Sequence, residues 1–241
     1  MVNLEFRPGL WPTLAAVAGI ALMLALGNWQ LGRGQEKSEL KARIDKLAAG
    51  PVIHVPASEL NAADVQLRRV EARGVFEPKY AVWVDNRVRH GVVGYHVVMP
   101  LRLGDGGRYV LVNRGWVAAE RDRSRLPEVK TPAGPVTVTG MALVPGGRFL
   151  ELSGRVTEGK VWQNLTLERY RQAMSIAIQP FLIQQDQSGA PDDALVREWD
   201  APDLGVDKHY GYAFQWFALA VLILVIYLVT HVKRKTEKKP A

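Results

Sequence analysis

Two long stretches without a single Asp, Glu, Lys or Arg constrain this chain more than any other feature. One runs from Pro8 to Gly32 and the other from His209 to Val232. A helix crosses the hydrocarbon core of a bilayer with about 20 residues, and each stretch is long enough. The chain between them, Arg33–Lys208, is charged like a soluble protein and large enough to bury a core of its own. The formal net charge of +7 is no nucleic-acid signature, because the middle segment carries only +3. A further +4 sits in the tail Lys233–Ala241, where basic residues beside a span act as an orientation signal and contact lipid headgroups. With no cysteine, disulfides, thiolate catalysis, Cys-ligated zinc and iron–sulfur clusters are excluded.

The first apolar run, LWPTLAAVAGIALMLALGNW, exceeds the 7–15 residues usual for the core of a cleavable signal, although Ala25-Leu26-Gly27 has a small-x-small pattern. Trp29 and Gln30 suit an interfacial anchor. The second run has Tyr210, Tyr212 and Trp216 near one end and Tyr227 near the other, as an aromatic belt requires. Charge gives a split vote on orientation. Lys233, Arg234, Lys235, Lys238 and Lys239 place the tail in the cytoplasm, whereas Arg33, Lys37, Lys41, Arg43 and Lys46 follow the first span. Long domains translocate largely regardless of charge, so the expected layout has cytoplasmic termini and an exported domain. A span beginning about ten residues from the start leaves no room for an Arg-rich presequence, and a bacterial inner membrane is the simplest host. The expected segments are a short N-terminus (1–9), a span (10–32), a periplasmic domain (33–208), a second span (209–232) and a basic tail (233–241).

Within the domain, residues 35–49 are rich in helix formers and stop before Gly50-Pro51, which extends the first span as a polar helix. Strand patterns follow at Val52–Val55, Arg68–Phe76, Ala81–Asn86, Gly94–Leu103, Tyr109–Val117, Val136–Leu143 and Gly159–Leu165. The run Gly104-Asp105-Gly106-Gly107 joins two of them as a hairpin. Short helices are expected at Ala119–Arg125 and at Thr166–Met174, the latter capped by Thr166. Residues 187–207 have the composition of an irregular acidic linker. The expected fold class is α+β: two transmembrane helices flanking one β-rich domain, an antiparallel sandwich or a partly closed barrel.

No catalytic pattern emerges. The serines sit in no Gly-x-Ser-x-Gly elbow or Ser-x-x-Lys motif. There is no His-Glu-x-x-His, P-loop or dinucleotide fingerprint, and the paired glycines are turns. His-rich or Met-rich clusters that would suit copper are lacking. Of the five histidines, His54 and His96 lie in strand patterns, His90 in a basic turn and His231 beside the tail. His209 differs, because it opens the second span directly before Tyr210-Gly211-Tyr212. Two readings stand: an imidazole hydrogen-bonding headgroups, or a ligand for a haem iron whose macrocycle lies in the apolar layer, with Gly211 admitting a flat ring.

Three blocks then come in order along the chain. Gly27-Asn28-Trp29-Gln30-Leu31-Gly32-Arg33 closes the first span. Gly91-Val92-Val93-Gly94-Tyr95-His96 precedes Leu111-Val112-Asn113-Arg114-Gly115-Trp116-Val117. His209-Tyr210-Gly211-Tyr212-Ala213-Phe214-Gln215-Trp216 opens the second span. Together, with the two-span layout, they resemble the Surfeit-locus-1 family of cytochrome c oxidase assembly factors. The resemblance implies a non-enzymatic protein that assists maturation of the cytochrome c oxidase catalytic subunit. It implies haem a as a transient cofactor and His209 as its iron ligand. Tyr210, Gly211 and Trp216 become candidate haem contacts, and haem a biosynthesis enzymes become further candidate partners. Arg114 is a candidate for a propionate, beside the alternative of a structural salt bridge. No second axial ligand is evident, which suits a carrier that must release its cargo. A cofactor-free scaffold holding the oxidase subunit is the alternative, and a membrane-bound hydrolase a more remote one.

Overall fold

The computed structural model describes residues 4–6, 8–104, 107–123, 125–145, 157–187, 193–199 and 205–234. They form two compact units, one from residues 1–43 with 201–241 and the other from Ile44–Asp200.

The chain order is β1 (Leu4–Phe6), α1 (Leu10–Ala48), β2 (Ile53–His54), α2 (Ala62–Val65), β3 (Arg69–Phe76), a 3-10 turn (Pro78–Tyr80), β4 (Val82–Arg89), β5 (Val92–Leu103) and β6 (Tyr109–Ala118). Then follow β7 (Pro135–Leu143), β8 (Thr157–Glu158), β9 (Val161–Trp162), α3 (Leu167–Met174), β10 (Ile178–Gln185), α4 (Val206–His231) and β11 (Val232–Arg234).

In the first unit, α1 is one uninterrupted helix of 39 residues, about 58 Å long. It joins the apolar run to its polar extension. The 26 residues of α4 form the second long helix. Both meet the length and hydropathy of a membrane span, and few residues of either apolar window are buried. Leu14, Val17 and Leu22 on one helix, and Val221, Leu222, Val225, Ile226 and Val229 on the other, are exposed. Apolar side chains open on all sides are stable against lipid and not against water. The helices run antiparallel. Thr13 and Tyr227 hydroxyls lie 2.7 Å apart at one end, and Gly19, Gly27 and Gly34 meet Ile223, Phe217 and Tyr210 in reverse order. A Cβ on Gly27 would lie 2.6 Å from the Phe217 ring, so only glycine permits that approach. β1 pairs antiparallel with β11 beside this seam.

The second unit is a nine-stranded sheet in the order β2-β3-β7-β10-β6-β5-β4-β9-β8, closed on itself where β3 also pairs with β5. Strands β3, β7, β10, β6 and β5 thus form a barrel, of the two closures expected from sequence. The 12-residue β5 makes this possible. Its end, Leu101–Leu103, pairs with β3, while its first half pairs with β4. Alternation sends Val97, Met99, Leu101 and Leu103 to the barrel interior with Val70, Phe76, Val112 and Phe181. Val98 faces outward to a second core with Val84, Leu111, Trp162, Tyr170 and Leu182. The short α3 covers this outer core. Thr166 Oγ1 caps it by accepting from Arg169 N–H at 3.2 Å, as its sequence predicts.

Two expectations need correction. Ala119–Arg125 forms no helix over its described residues: Ala119 N–H bonds to the Val93 carbonyl at 3.1 Å, and Arg123 reaches Asp85 at 3.2 Å. Tertiary partners outcompete one short turn of helix there. The central strand β10 is absent from the sequence-predicted set, and Pro180 within it has no N–H to give a ladder. The fold places Pro180 where the pairing of β10 with β6 is irregular, between Ile178 and Leu182, so no ladder bond is lost.

Residues 193–199 are irregular, as their composition suggests, yet they are built into the domain. Val196 bridges Trp116 through two backbone bonds of 2.8 and 2.9 Å. Asp193 binds Arg114 at 2.7 Å and Arg197 at 2.5 Å, with all three side chains at most 1% exposed. Arg114 occupies a β-bulge: Val97 pairs with Gly115 and Val98 with Asn113, which leaves Arg114 without a partner across the ladder. Its guanidinium instead donates to Thr131 Oγ1 at 3.0 Å and the Lys130 carbonyl at 2.8 Å. It also lies 4.9 Å over the Phe76 ring. Removing one partner of such a cluster strands buried charge. Asp193→Ala is therefore expected to lower the domain's stability by about 3–5 kcal/mol, read from denaturant unfolding followed by tryptophan fluorescence.

Candidate functional site

The first unit brings together two of the sequence blocks that lie at opposite ends of the chain. Gln30 is on α1, three residues after Gly27 and four before Gly34, on the face that meets α4. His209 is in the first turns of α4. Its Nδ1 lies 2.8 Å from Gln30 Oε1. An amide oxygen only accepts, so Nδ1–H donates and Nε2 keeps its lone pair. Nε2 has no hydrogen-bond partner among the described residues. A ring held by a hydrogen bond from one nitrogen, with the other nitrogen free, is the arrangement found for metal-ligating histidines.

Around this imidazole, Ala213 and Trp216 follow at four and seven residues, on the same helix face, and Ala213 is buried. Tyr210 packs on Gly34, where a Cβ would meet its ring at 3.1 Å. Gly211 lies about 200° round the helix from His209. Its Cβ position opens onto space with no atom within 4 Å. No described residue requires a glycine there, and glycine in a helix costs about 1 kcal/mol relative to alanine. Arg114 belongs to the other unit, where its buried ion pair with Asp193 occupies it.

Among the described residues no three His, Cys, Asp or Glu gather as a metal site. A lone imidazole does not hold a bare ion. It holds a metal that arrives with equatorial donors of its own, as haem iron does.

The other histidines divide. His54 Nδ1 lies 3.1 Å from Glu71 at the surface. His90, with φ +46°, forms the β4–β5 turn with Gly91, and His231 Nδ1 sits 2.8 Å from the Tyr227 carbonyl. His96 is more than a strand residue. It lines a cavity on the outer face of the sheet, with its Nδ1 3.4 Å from Asn113 Nδ2. Burial, aided by the Arg87 charge, lowers its pKa from 6.5 to about 4. Sequence reasoning named Gln30 only as an interfacial anchor and His96 only as a strand residue, and gave neither a place in a site. The signal for both was their place within the shared blocks, the first beside Trp29 and the second beside Tyr95.

Two exposed apolar helices of membrane-spanning length, a positioned imidazole between them and a closed β-barrel domain define a membrane-anchored protein of α+β class. Residues 17–221 match the SURF1 family. Relatives include a SURF1-like protein of Rickettsia bellii, 23% identical over 90% of this chain and 89% of the relative. Surfeit locus protein 1 of Takifugu rubripes is 23% identical over 89% of this chain and 94% of its own. A SURF1-like protein of Mycobacterium tuberculosis is 32% identical over 55% of this chain and 51% of its own. The chain belongs to the SURF1 family, a family of cytochrome oxidase assembly factors.

The lowered pKa of His96 has a direct consequence. Below about pH 6.5 the unfolded chain binds a proton that the folded one refuses until about pH 4. Stability therefore falls as pH drops through that window. Denaturant unfolding of the His96→Gln variant, repeated from pH 7 to 4, is expected to show a shallower fall than wild type.

Proposed function

We propose that this protein assists assembly of cytochrome c oxidase by holding haem a for the catalytic subunit, with His209 Nε2 as the iron ligand. The observation that carries the reading is the 2.8 Å hydrogen bond from His209 Nδ1–H to Gln30 Oε1. In the neutral ring it fixes the tautomer in which Nε2 keeps its lone pair. Trp216, on the His209 face, is the position where a large apolar ligand gains contact; Gly211, expected to admit the ring, lies on the opposite face of the helix. The lone protein ligand makes the bond reversible, as delivery requires. Haem a would supply the iron; His209 would hold it, Gln30 would orient the imidazole, and the helices would give an apolar surface.

The same reading places the termini in the cytoplasm and the barrel in the periplasm of a bacterial inner membrane. It gives the oxidase catalytic subunit as partner, with haem a biosynthesis enzymes as upstream donors, and it assigns no reaction to the chain. Family membership and two membrane-compatible helices support it.

The test is an absorption spectrum of the detergent-purified protein from cells that make haem a. Wild type is expected to show a haem a band and His209→Ala none. Gln30→Leu keeps the ligand but frees the ring, and its occupancy is expected to drop about 10–100-fold. Folded wild-type protein without haem would instead favour a cofactor-free scaffold that holds the oxidase subunit.

A further inference from the structure

The cavity beside His96 lies outside everything assigned above. Its volume is about 340 Å³, within the range of small-molecule sites. The sheet explains how it forms. Val84 pairs with His96, Val98 with Asn113, and Asn113 with Gln184, so β4, β5, β6 and β10 contribute neighbouring side chains. Arg87, His96, Asn113 and Gln184 make a polar row across four strands, next to an apolar floor of Val84, Val98, Leu182, Leu165 and Leu143. The β-bulge at Arg114 sets this phase: it turns Arg114 toward Phe76 and Met99 and leaves Asn113 on the outer face.

Two polar atoms of this row are buried and have no hydrogen-bond partner among the described residues, Arg87 Nε and Asn113 Oδ1. Buried polar groups are almost always paired, and each exception requires a reason. Arg87 has no carboxylate within ion-pair distance among the described residues, although Arg69, Arg89, Arg102, Arg108 and Arg123 each have one. A half-buried guanidinium without a counter-ion among the described residues, one unpaired acceptor and an apolar floor together describe the complement of an amphiphile.

We propose that this cavity binds a small amphiphilic carboxylate whose head also carries an N–H or O–H donor. The carboxylate pairs with Arg87, the donor meets Asn113 Oδ1, and the apolar body covers Val98 and Leu182. A single negative charge is specified, because His96 stays neutral at pH 7 and Arg87 is the lining residue left to be balanced. A doubly charged phosphate monoester would leave an uncompensated charge in a desolvated site. Trp199, edge-on to His96 at 5.5 Å and bonded through Nε1 to the Gln185 carbonyl at 2.8 Å, forms a wall beside the imidazole.

N-octanoylglycine has this chemistry, and octanoate has the same tail and charge without the N–H. Calorimetric titration of each into the full chain in lipid nanodiscs, with empty nanodiscs subtracted, reads the proposal. Saturable 1:1 binding of N-octanoylglycine is expected, several-fold tighter than octanoate and at least tenfold weaker in Arg87→Gln. Gln184→Leu, which removes no charge, serves as a second variant and is expected to weaken binding less. Circular dichroism shows whether each variant is folded. Heats that match empty nanodiscs overturn the site. So does a folded Arg87→Gln protein that binds as tightly as wild type. Equal affinity for the two probes would overturn the donor to Asn113 and leave a plain carboxylate site. None of these outcomes depends on haem binding at His209.

Discussion

Closure of the barrel rests on a contact that only glycine allows. β3 meets β5 at Gly74, where a Cβ would lie 2.1 Å from the Arg102 carbonyl oxygen. Gly140 does the same on β7, 2.1 Å from the Gln184 carbonyl. Once β3 and β5 join, β5 has both faces covered, one by the barrel interior and the other by the outer core under α3. A two-sided strand then has no tolerance for slippage, since a one-residue shift exchanges the two faces. The bulge at Arg114 is the shift that β5 makes against β6. It turns a charged side chain inward, where the docked Asp193 receives it, and leaves Asn113 outward at the cavity.

Much of the fold was legible because its signals are local. Uncharged runs mark the spans, period-two alternation marks β3, Val- and Leu-rich runs on either side of a Gly-rich turn mark β5 and β6, and the cap at Thr166 marks α3. What sequence did not reveal depends on distant partners. Pro180 reads as a strand breaker until the irregular pairing with β6 is known. The acidic residues after Gln187 read as solvated linker, whereas Asp193 is 4% exposed between two arginines. Local helix propensity in Ala119–Arg125 yields to contacts with Val93 and Asp85.

The candidate site divides in the same way. His209 stands out from its position at the head of the second span and from the family block around it. Its partner Gln30 does not, because the pair is 179 residues apart in sequence. The glycines of α1 supply the missing register. Gly27 and Gly34 accept Phe217 and Tyr210 so closely that the helices have one way to lie together, and that way sets Gln30 against the imidazole. His96 was hidden for a different reason, since an alternating strand does not say which outward residues share a cavity.

The Gln30–His209 bond also gives the molecule an order of completion. A ribosome releases α1 long before α4 exists, so the Gln30 amide enters the bilayer without its partner and waits for nearly the whole of the remaining chain. The imidazole acquires its fixed tautomer only when the last helix has been threaded beside the first. Chains interrupted anywhere in the barrel therefore carry every residue of the first block without the imidazole that it positions.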